Sequence, residues 1–359
     1  MKIGIVTLPF HINYGGILQA YALSQVLIKE EHEVVFIQEH KNICEKLKNS
    51  IGVLVRKMIC KLKGRKINIF DDKSRHKKIQ SFLKKEFNFI SNSKIHYINS
   101  FDAVIVGSDQ VWRKWSQGWN LYFYFLDFVK NKKTKKISYA ASLGTNRWLM
   151  NNEETERILK LISDFKGISV RESDAKDICQ EHLKVIPKIV LDPTLLLGIK
   201  DYVKIGANPM KANYIVSFIL DNNAQKQNIS DRISSIIASE LIALGPEMQI
   251  DVINGSSLLG IEEWIRIYSQ AKFIITDSFH GSAFAINFNI PFIVLSNINR
   301  GQSRLVSLLQ TYNLLDRLVT DVNQVEEIVS KPIEWGFVNK KVNELRKISI
   351  DFLRSSLDL

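Results

Sequence analysis

The sequence predicts an α/β protein made of two doubly wound, Rossmann-like domains facing a cleft. Three observations carry this expectation. The chain opens on a strand, a glycine-containing turn, a helix and a second strand, which is a βαβ unit and implies a parallel sheet with a right-handed crossover. A second alternation of strand-like and helix-like segments starts after a polar stretch near residue 211. The 359 residues, 45% apolar and 24% charged, match ordinary globular usage and suffice for two cores.

Lys2–Leu8 reads as a buried strand, Ile17–Glu30 as a helix with apolar Ile17, Ala20, Tyr21, Leu23, Leu27 and Ile28, and Glu33–Gln38 as the next strand. Asp102–Gly107 and Lys136–Ala141 are strand-like and Glu153–Phe165 is helical. Ile168–Arg171 and Lys188–Leu191 are short strands around a helix near Asp174–His182. The first domain is therefore placed at 1–198, with a basic helical insert over about 41–90. Gly198–Lys211, punctuated by Gly206 and Pro209, reads as a linker. Strands at Tyr214–Leu220, Gln249–Ile253, Phe273–Thr276 and Pro291–Leu295 alternate with helices near 228–244, 261–270, 281–288 and 302–312 in a second domain, 212–335. In 336–359, a helix over about Val338–Leu357 places Val338, Val342, Leu345, Ile348 and Phe352 on one stripe, and is expected to pack back across the domain junction.

The formal net charge of +12 is local. Residues 41–90 hold fifteen Lys or Arg against four Asp or Glu, a net +11. No nucleic-acid motif accompanies the charge, so nucleic acid is not expected as a partner. Within the segment, Ile43, Leu47, Ile51, Leu54, Met58 and Leu62 recur at helical spacing between Lys46, Lys48, Arg56, Lys57, Lys61 and Lys63. Residues 43–66 thus suit either peripheral contact with an anionic membrane or a solvated helix on its own domain. Cys44, Cys60 and Cys179 are too scattered for a disulfide framework or a metal cluster, which fits a reducing compartment. Lys2–Leu8 is too short for a signal peptide, and the charge-free run Ser278–Asn299 is broken by His280, Asn287, Asn289, Pro291 and Asn297. A cytoplasmic location is expected, at the inner face of the membrane if the basic segment docks there.

Ligands of open α/β sheets sit beyond the carboxyl ends of the strands, so the strand-to-helix turns are the places to search. In the first turn, Asn13-Tyr14-Gly15-Gly16 lets a ligand approach the backbone at a helix N-terminus, but it is neither G-x-G-x-x-G nor a P-loop. In the second, Ser108-Asp109-Gln110 suits sugar hydroxyls, although Ser and Asp are equally favoured as helix caps. Trp112, Trp115 and Trp119 beside it suit either a sugar-stacking surface or the core. In the third, Arg171 leaves a strand with a planar fork suited to carboxylate or phosphate, or to a structural pair with Glu172 or Asp174. The fourth is the most specific: Thr276-Asp-Ser-Phe-His-Gly-Ser282 places His280 at a helix mouth kept open by small Gly281 and Ser282, unless Asp277 merely holds the imidazole in the core. No D-x-D, H-E-x-x-H, C-x-x-C, Walker A or G-x-S-x-G motif occurs.

Taken in order, Asn13-Tyr-Gly-Gly-Ile-Leu-Gln-Ala-Tyr-Ala-Leu23, Gly107-Ser-Asp-Gln-Val-Trp112, Ser169-Val-Arg-Glu172, Leu191-Asp-Pro-Thr-Leu-Leu196 and Thr276-Asp-Ser-Phe-His-Gly281 resemble the polysaccharide pyruvyltransferase family over about residues 1–320. The resemblance implies a GT-B-like fold. It also implies transfer of pyruvate from phosphoenolpyruvate onto two hydroxyls of a saccharide, free or lipid-linked, forming a cyclic ketal and releasing phosphate, with no metal and no cofactor besides that donor. On this reading His280 is the acid/base. Arg171, Ser278, Gly281, Ser282 and Arg304 bind the donor, and Asn13, Tyr14, Gly15, Gly16, Ser108 and Asp109 face the acceptor. Where some members of the family carry Arg-Leu before the histidine, this chain has Ser278-Phe279. Either Arg300 or Arg304 replaces that arginine, or the donor differs. The alternatives are a GT-B-like glycosyltransferase using a sugar nucleotide and a non-catalytic polysaccharide-binding protein.

Overall fold

The computed structural model describes residues 1–10, 13–39, 69–93, 95–115, 120–244, 259–297, 302–319 and 321–359. The amphipathic segment 43–66, Cys44, Cys60, Trp119, the expected strand Gln249–Ile253 and Arg300 lie outside the described residues.

The first domain contains β1 (Lys2–Val6), α1 (Tyr14–Lys29), β2 (Glu33–Gln38), α2 (Ile69–Glu86), β3 (Phe89–Ser91), β4 (Ala103–Asp109), β5 (Lys135–Ala141), α3 (Asn152–Ile162), β6 (Phe165–Val170), α4 (Ser173–Leu183) and β7 (Lys188–Ile189). Its strands pair in parallel in the order β3-β2-β1-β4-β5-β6-β7. The second domain contains β8 (Tyr214–Phe218), α5 (Ala224–Ile237), β9 (Glu240–Ala243), α6 (Ile261–Gln270), β10 (Phe273–Thr276), α7 (Phe279–Asn287), β11 (Phe292–Leu295), α8 (Gln302–Thr311) and β12 (Leu318–Val319). Here the parallel order is β12-β11-β10-β8-β9.

Parallel strands are buried on both faces, so their side chains alternate between two cores rather than between core and water. Along β4, Ala103 and Ile105 enter one apolar cluster, whereas Val104 and Val106 enter another with Trp112 and Phe125. Along β10, Ile274 points to the first cluster and Phe273 and Ile275 to a third. The first cluster is continuous between the two sheets: it joins Ile5, Leu18 and Tyr21 to Phe218, Trp264, Tyr268 and Phe284. The ion pairs Lys78–Glu263 (2.7 Å) and Lys85–Glu262 (3.2 Å) add a polar tie between α2 and α6. α9 (Trp335–Leu357) runs beside β5 and β6, where the Ser349 hydroxyl accepts from the Leu191 N–H and the Arg346 Nε donates to the Leu195 carbonyl.

Two local expectations are corrected, and one open alternative is decided. The helix expected at 228–244 ends at Ile237, because Ala238 takes a left-handed conformation (φ 50°), and Glu240–Ala243 becomes the edge strand β9. Gly198–Lys211 is packed rather than loose: it forms two short helical turns and buries Tyr202, Ile205 and Ala207. Trp112 belongs to the core, fully buried and stacked on Phe125 at 5.1 Å.

Candidate active site

In each sheet the strand order reverses once, between β1 and β4 and between β8 and β10, and the crevices beyond those carboxyl ends are where doubly wound sheets hold ligands. The two crevices meet. A cavity of about 220 Å³ is lined from the first domain by Asn13, Tyr14, Gly15, Asp109 and Gln110, and from the second by Phe218, Leu220, Ser278, Phe279, His280 and Arg304.

Two helix N-termini open onto it. Asn13 caps α1, its side chain accepting from the Gly16 N–H at 3.1 Å, and Ser278 caps α7, accepting from the Gly281 N–H at 3.3 Å. Each places the partly positive end of a helix toward the cavity. The helices touch: a methyl group on Gly15 would overlap the His280 imidazole, so the absence of a side chain there lets the ring lie against α1. Tyr14 adds a contact between the domains, its hydroxyl donating to the Leu259 carbonyl at 2.8 Å and its ring stacking on Trp264. Burial pushes its phenol up to about 12, so it stays protonated at neutral pH.

A buried charge cluster, which shares Asp109 with the cavity lining, is centred on Arg171. Its Nη1 meets Asp192 Oδ2 at 2.6 Å, its Nη2 meets Asp109 Oδ1 at 3.3 Å, its Nε lies 3.6 Å from Glu172 Oε2, and its guanidinium faces the Phe279 ring at 4.2 Å. Asp192 is the shared acceptor. Its Oδ1 takes the Thr194 N–H and hydroxyl (3.0 and 2.7 Å), and its Oδ2 is 3.4 Å from the Ser108 hydroxyl and 3.5 Å from His280 Nε2. Burial alone would raise both aspartates. Arg171, His280 and Arg304 around Asp109, and His280, Arg171 and Thr194 around Asp192, outweigh it and hold both carboxyls below the usual carboxylate range. Burial also opposes charge on Arg171, but Asp192, Asp109 and Glu172 keep it cationic. Arg304 is buried with the opposite result: desolvation and the neighbouring Arg171 bring it down to about 10.

Of the residues expected at the site, Asn13, Tyr14, Gly15, Asp109, Ser278, His280 and Arg304 line one cavity, while Gly16, Ser108, Gly281 and Ser282 are not among its lining residues. Arg171, expected as an open fork for the donor, instead has its fork taken up by Asp109 and Asp192. This is the structural pairing of a strand-end arginine, with Asp109 and Asp192 added to Glu172 and without Asp174. Asp277 does not hold His280; it accepts from the Leu220 and Asp221 N–H groups, Lys226 and Asn297, fixing the turns after β8 and β10. Two contributors were not singled out from the sequence. Asp192 lies in the quoted Leu191-Asp-Pro-Thr motif, which reads locally as a helix cap. Gln19 joins the first two turns by donating to the Thr7 hydroxyl (3.0 Å) and accepting from the Ser108 N–H (3.1 Å). Among the described residues no three His, Cys, Asp or Glu side chains are grouped to hold a metal ion, and no helix is long and apolar enough to cross a membrane.

The family model for polysaccharide pyruvyl transferase matches residues 13–299. No curated protein matches the chain in sequence. Among solved structures, the chain resembles a UDP-GlcNAc 2-epimerase from Methanocaldococcus jannaschii (11% identity, TM-score 0.54, covering 97% of this chain and 99% of that one). It also resembles Arabidopsis thaliana UGT89C1 in complex with UDP-L-rhamnose (9%, 0.52, covering 100% and 99%) and S. aureus MnaA with UDP (12%, 0.50, covering 100% and 98%). At these identities the likeness is one of fold, and the fold is GT-B.

Proposed function

Since the chain belongs to the polysaccharide pyruvyl transferase family, we propose that it moves the pyruvyl group of phosphoenolpyruvate onto two hydroxyls of a saccharide, forming a cyclic ketal and releasing phosphate. The observation that carries this reading is the make-up of the cavity: an imidazole, a buried arginine and two helix N-termini converge on a space of about 220 Å³. The donor carries a carboxylate and a phosphate. Arg304, which lines the cavity, is the cation for one of them, and the N-termini of α1 and α7 supply N–H donors for the other. Arg171 acts indirectly, holding Asp109 and Asp192 in place.

In the reaction, one sugar hydroxyl adds to C2 of the enol while C3 gains a proton and becomes a methyl group. The bond from C2 to the phosphate oxygen then breaks with the electron pair going to phosphate, the second hydroxyl bonds to C2, and its proton leaves with the phosphate. On this reading His280 takes the proton from the attacking hydroxyl and returns one to C3. Asp109, on the first-domain side, offers a carboxylate to the sugar hydroxyls.

Incubation with phosphoenolpyruvate and candidate oligosaccharides should give a product heavier by one pyruvylidene group and one equivalent of phosphate. His280→Gln should lower kcat by about 10²–10⁴-fold while the protein stays folded. Turnover of a sugar nucleotide with none of phosphoenolpyruvate would replace this reading by a glycosyltransferase, and glycan binding without any turnover by a binding protein.

A further inference from the structure

We infer that Asp192 is a positioning residue for His280: it holds the Nε2–H of the ring and thereby presents the Nδ1 lone pair to the substrate. The inference rests on the reading of His280 as the acid/base. It starts from the two faces of the imidazole. Nε2 is sealed from solvent, and Asp192 Oδ2 lies 3.5 Å away, while among the described residues no other acceptor is in hydrogen-bonding reach of that nitrogen. Nδ1 is on the Gly15 side of the ring, where Gly15 and His280 both border the cavity. A bare Nε2 lone pair facing an ionised carboxylate is repulsive, whereas an Nε2–H facing it is an ion–dipole contact of the kind that fixes a histidine tautomer. A distance of 3.5 Å is long for a hydrogen bond, as such contacts commonly are before substrate closes the site.

Asp192 is itself fixed. It is 2% exposed, its Oδ1 is saturated by Thr194, and Arg171 holds Oδ2. The turn that bears it is anchored to the helix that bears His280, because Asn287 on α7 donates to the Thr194 and Leu197 carbonyls at 2.7 and 2.9 Å. Asp192 belongs to the first domain and His280 to the second, so the pair exists only while the domains are docked.

The test uses the full-length protein labelled with ¹⁵N-histidine. Sequence position 280 is identified among the seven histidines by the signal lost in His280→Gln. At a pH where the ring is neutral, the unmutated protein should show a protonated Nε2 and an unprotonated Nδ1. The reverse tautomer would overturn the inference without any need for a variant or a substrate. In Asp192→Asn the two tautomers should mix, and kcat should fall about 10²-fold with the phosphoenolpyruvate KM changed less than about threefold. An unchanged spectrum and an unchanged kcat in that variant would also overturn it. Because the spectra require no turnover, an inactive protein showing the expected tautomer would refute the proposed reaction and leave the pairing intact.

Discussion

Arg171 and Arg304 are both buried, yet their surroundings assign them different tasks. Arg171 is surrounded by carboxylates, so its removal should be felt as instability. Arg171→Met removes the cation that Asp109, Asp192 and Glu172 share, and loss of one partner from such a buried cluster costs about 3–5 kcal/mol, to be read from denaturant midpoints. The sign with pH follows from the depressed carboxyls. The native state holds Asp109 and Asp192 ionised where the unfolded chain would protonate them, so this stability is complete above about pH 4 and is lost as pH falls below it. The gap between wild type and Arg171→Met should therefore narrow in acid. Arg304 has the reverse signature, a cation whose charge burial disfavours, brought down to about 10. A bound anion relieves that penalty. Arg304→Met should raise the donor KM by about 10- to 100-fold, and the rise in Tm that phosphate gives the wild type should vanish. The sequence marked both arginines but not their division of labour. That division depends on Asp109 and Asp192, which lie 62 and 21 residues from Arg171 along the chain.

At the scale of elements, the site is a junction of two helix mouths. Their caps were legible: Asn13 and Ser278 are favoured N-cap residues, each with a small residue inside the first turn, and both caps form. The contact between the helices was not legible, because it joins Gly15 to His280, and nothing local in either turn requires the other. Gly15→Ala tests the junction. The added methyl group has to displace the imidazole or separate α1 from α7, and overpacking of this kind costs about 1–3 kcal/mol. Activity should fall more than stability does, since the ring displaced is the proposed acid/base. Chemical denaturation and initial rates on one preparation decide this, and a variant with wild-type kcat would show that the ring does not depend on Gly15 for its position. The end of α5 was misread for a similar reason. Ala238-Ser-Glu-Leu-Ile-Ala243 continues an apolar pattern compatible with a helix, and the break is a left-handed Ala238, a conformation that alanine's chemistry does not announce.

At the scale of the molecule, the two α/β alternations were readable because strand and helix periods differ, and the parallel sheets follow from them. The cleft between the domains follows from the same alternation, and the strand-to-helix turns mark which residues to look for along it. Charge is the remaining whole-molecule feature. Of the formal +12, a net +11 lies in residues 41–90, so the rest of the chain is close to neutral. A surface polysaccharide precursor carried on a lipid would bring its acceptor sugar to a membrane, and clustered Lys and Arg gain about 1 kcal/mol each near an anionic surface. If the basic segment docks the enzyme there, the full-length protein should co-sediment with vesicles containing phosphatidylserine at low salt. It should dissociate as salt shortens the screening length, and it should ignore vesicles of phosphatidylcholine alone. Replacing Lys46, Lys48, Arg56, Lys57, Lys61 and Lys63 by Gln removes six of the charges and should abolish the binding. Turnover of a short soluble acceptor should stay at the wild-type rate, because the proposed chemistry uses none of the six. Vesicle binding that persists in the six-fold variant, or that resists salt, would separate the charge of this segment from any membrane role.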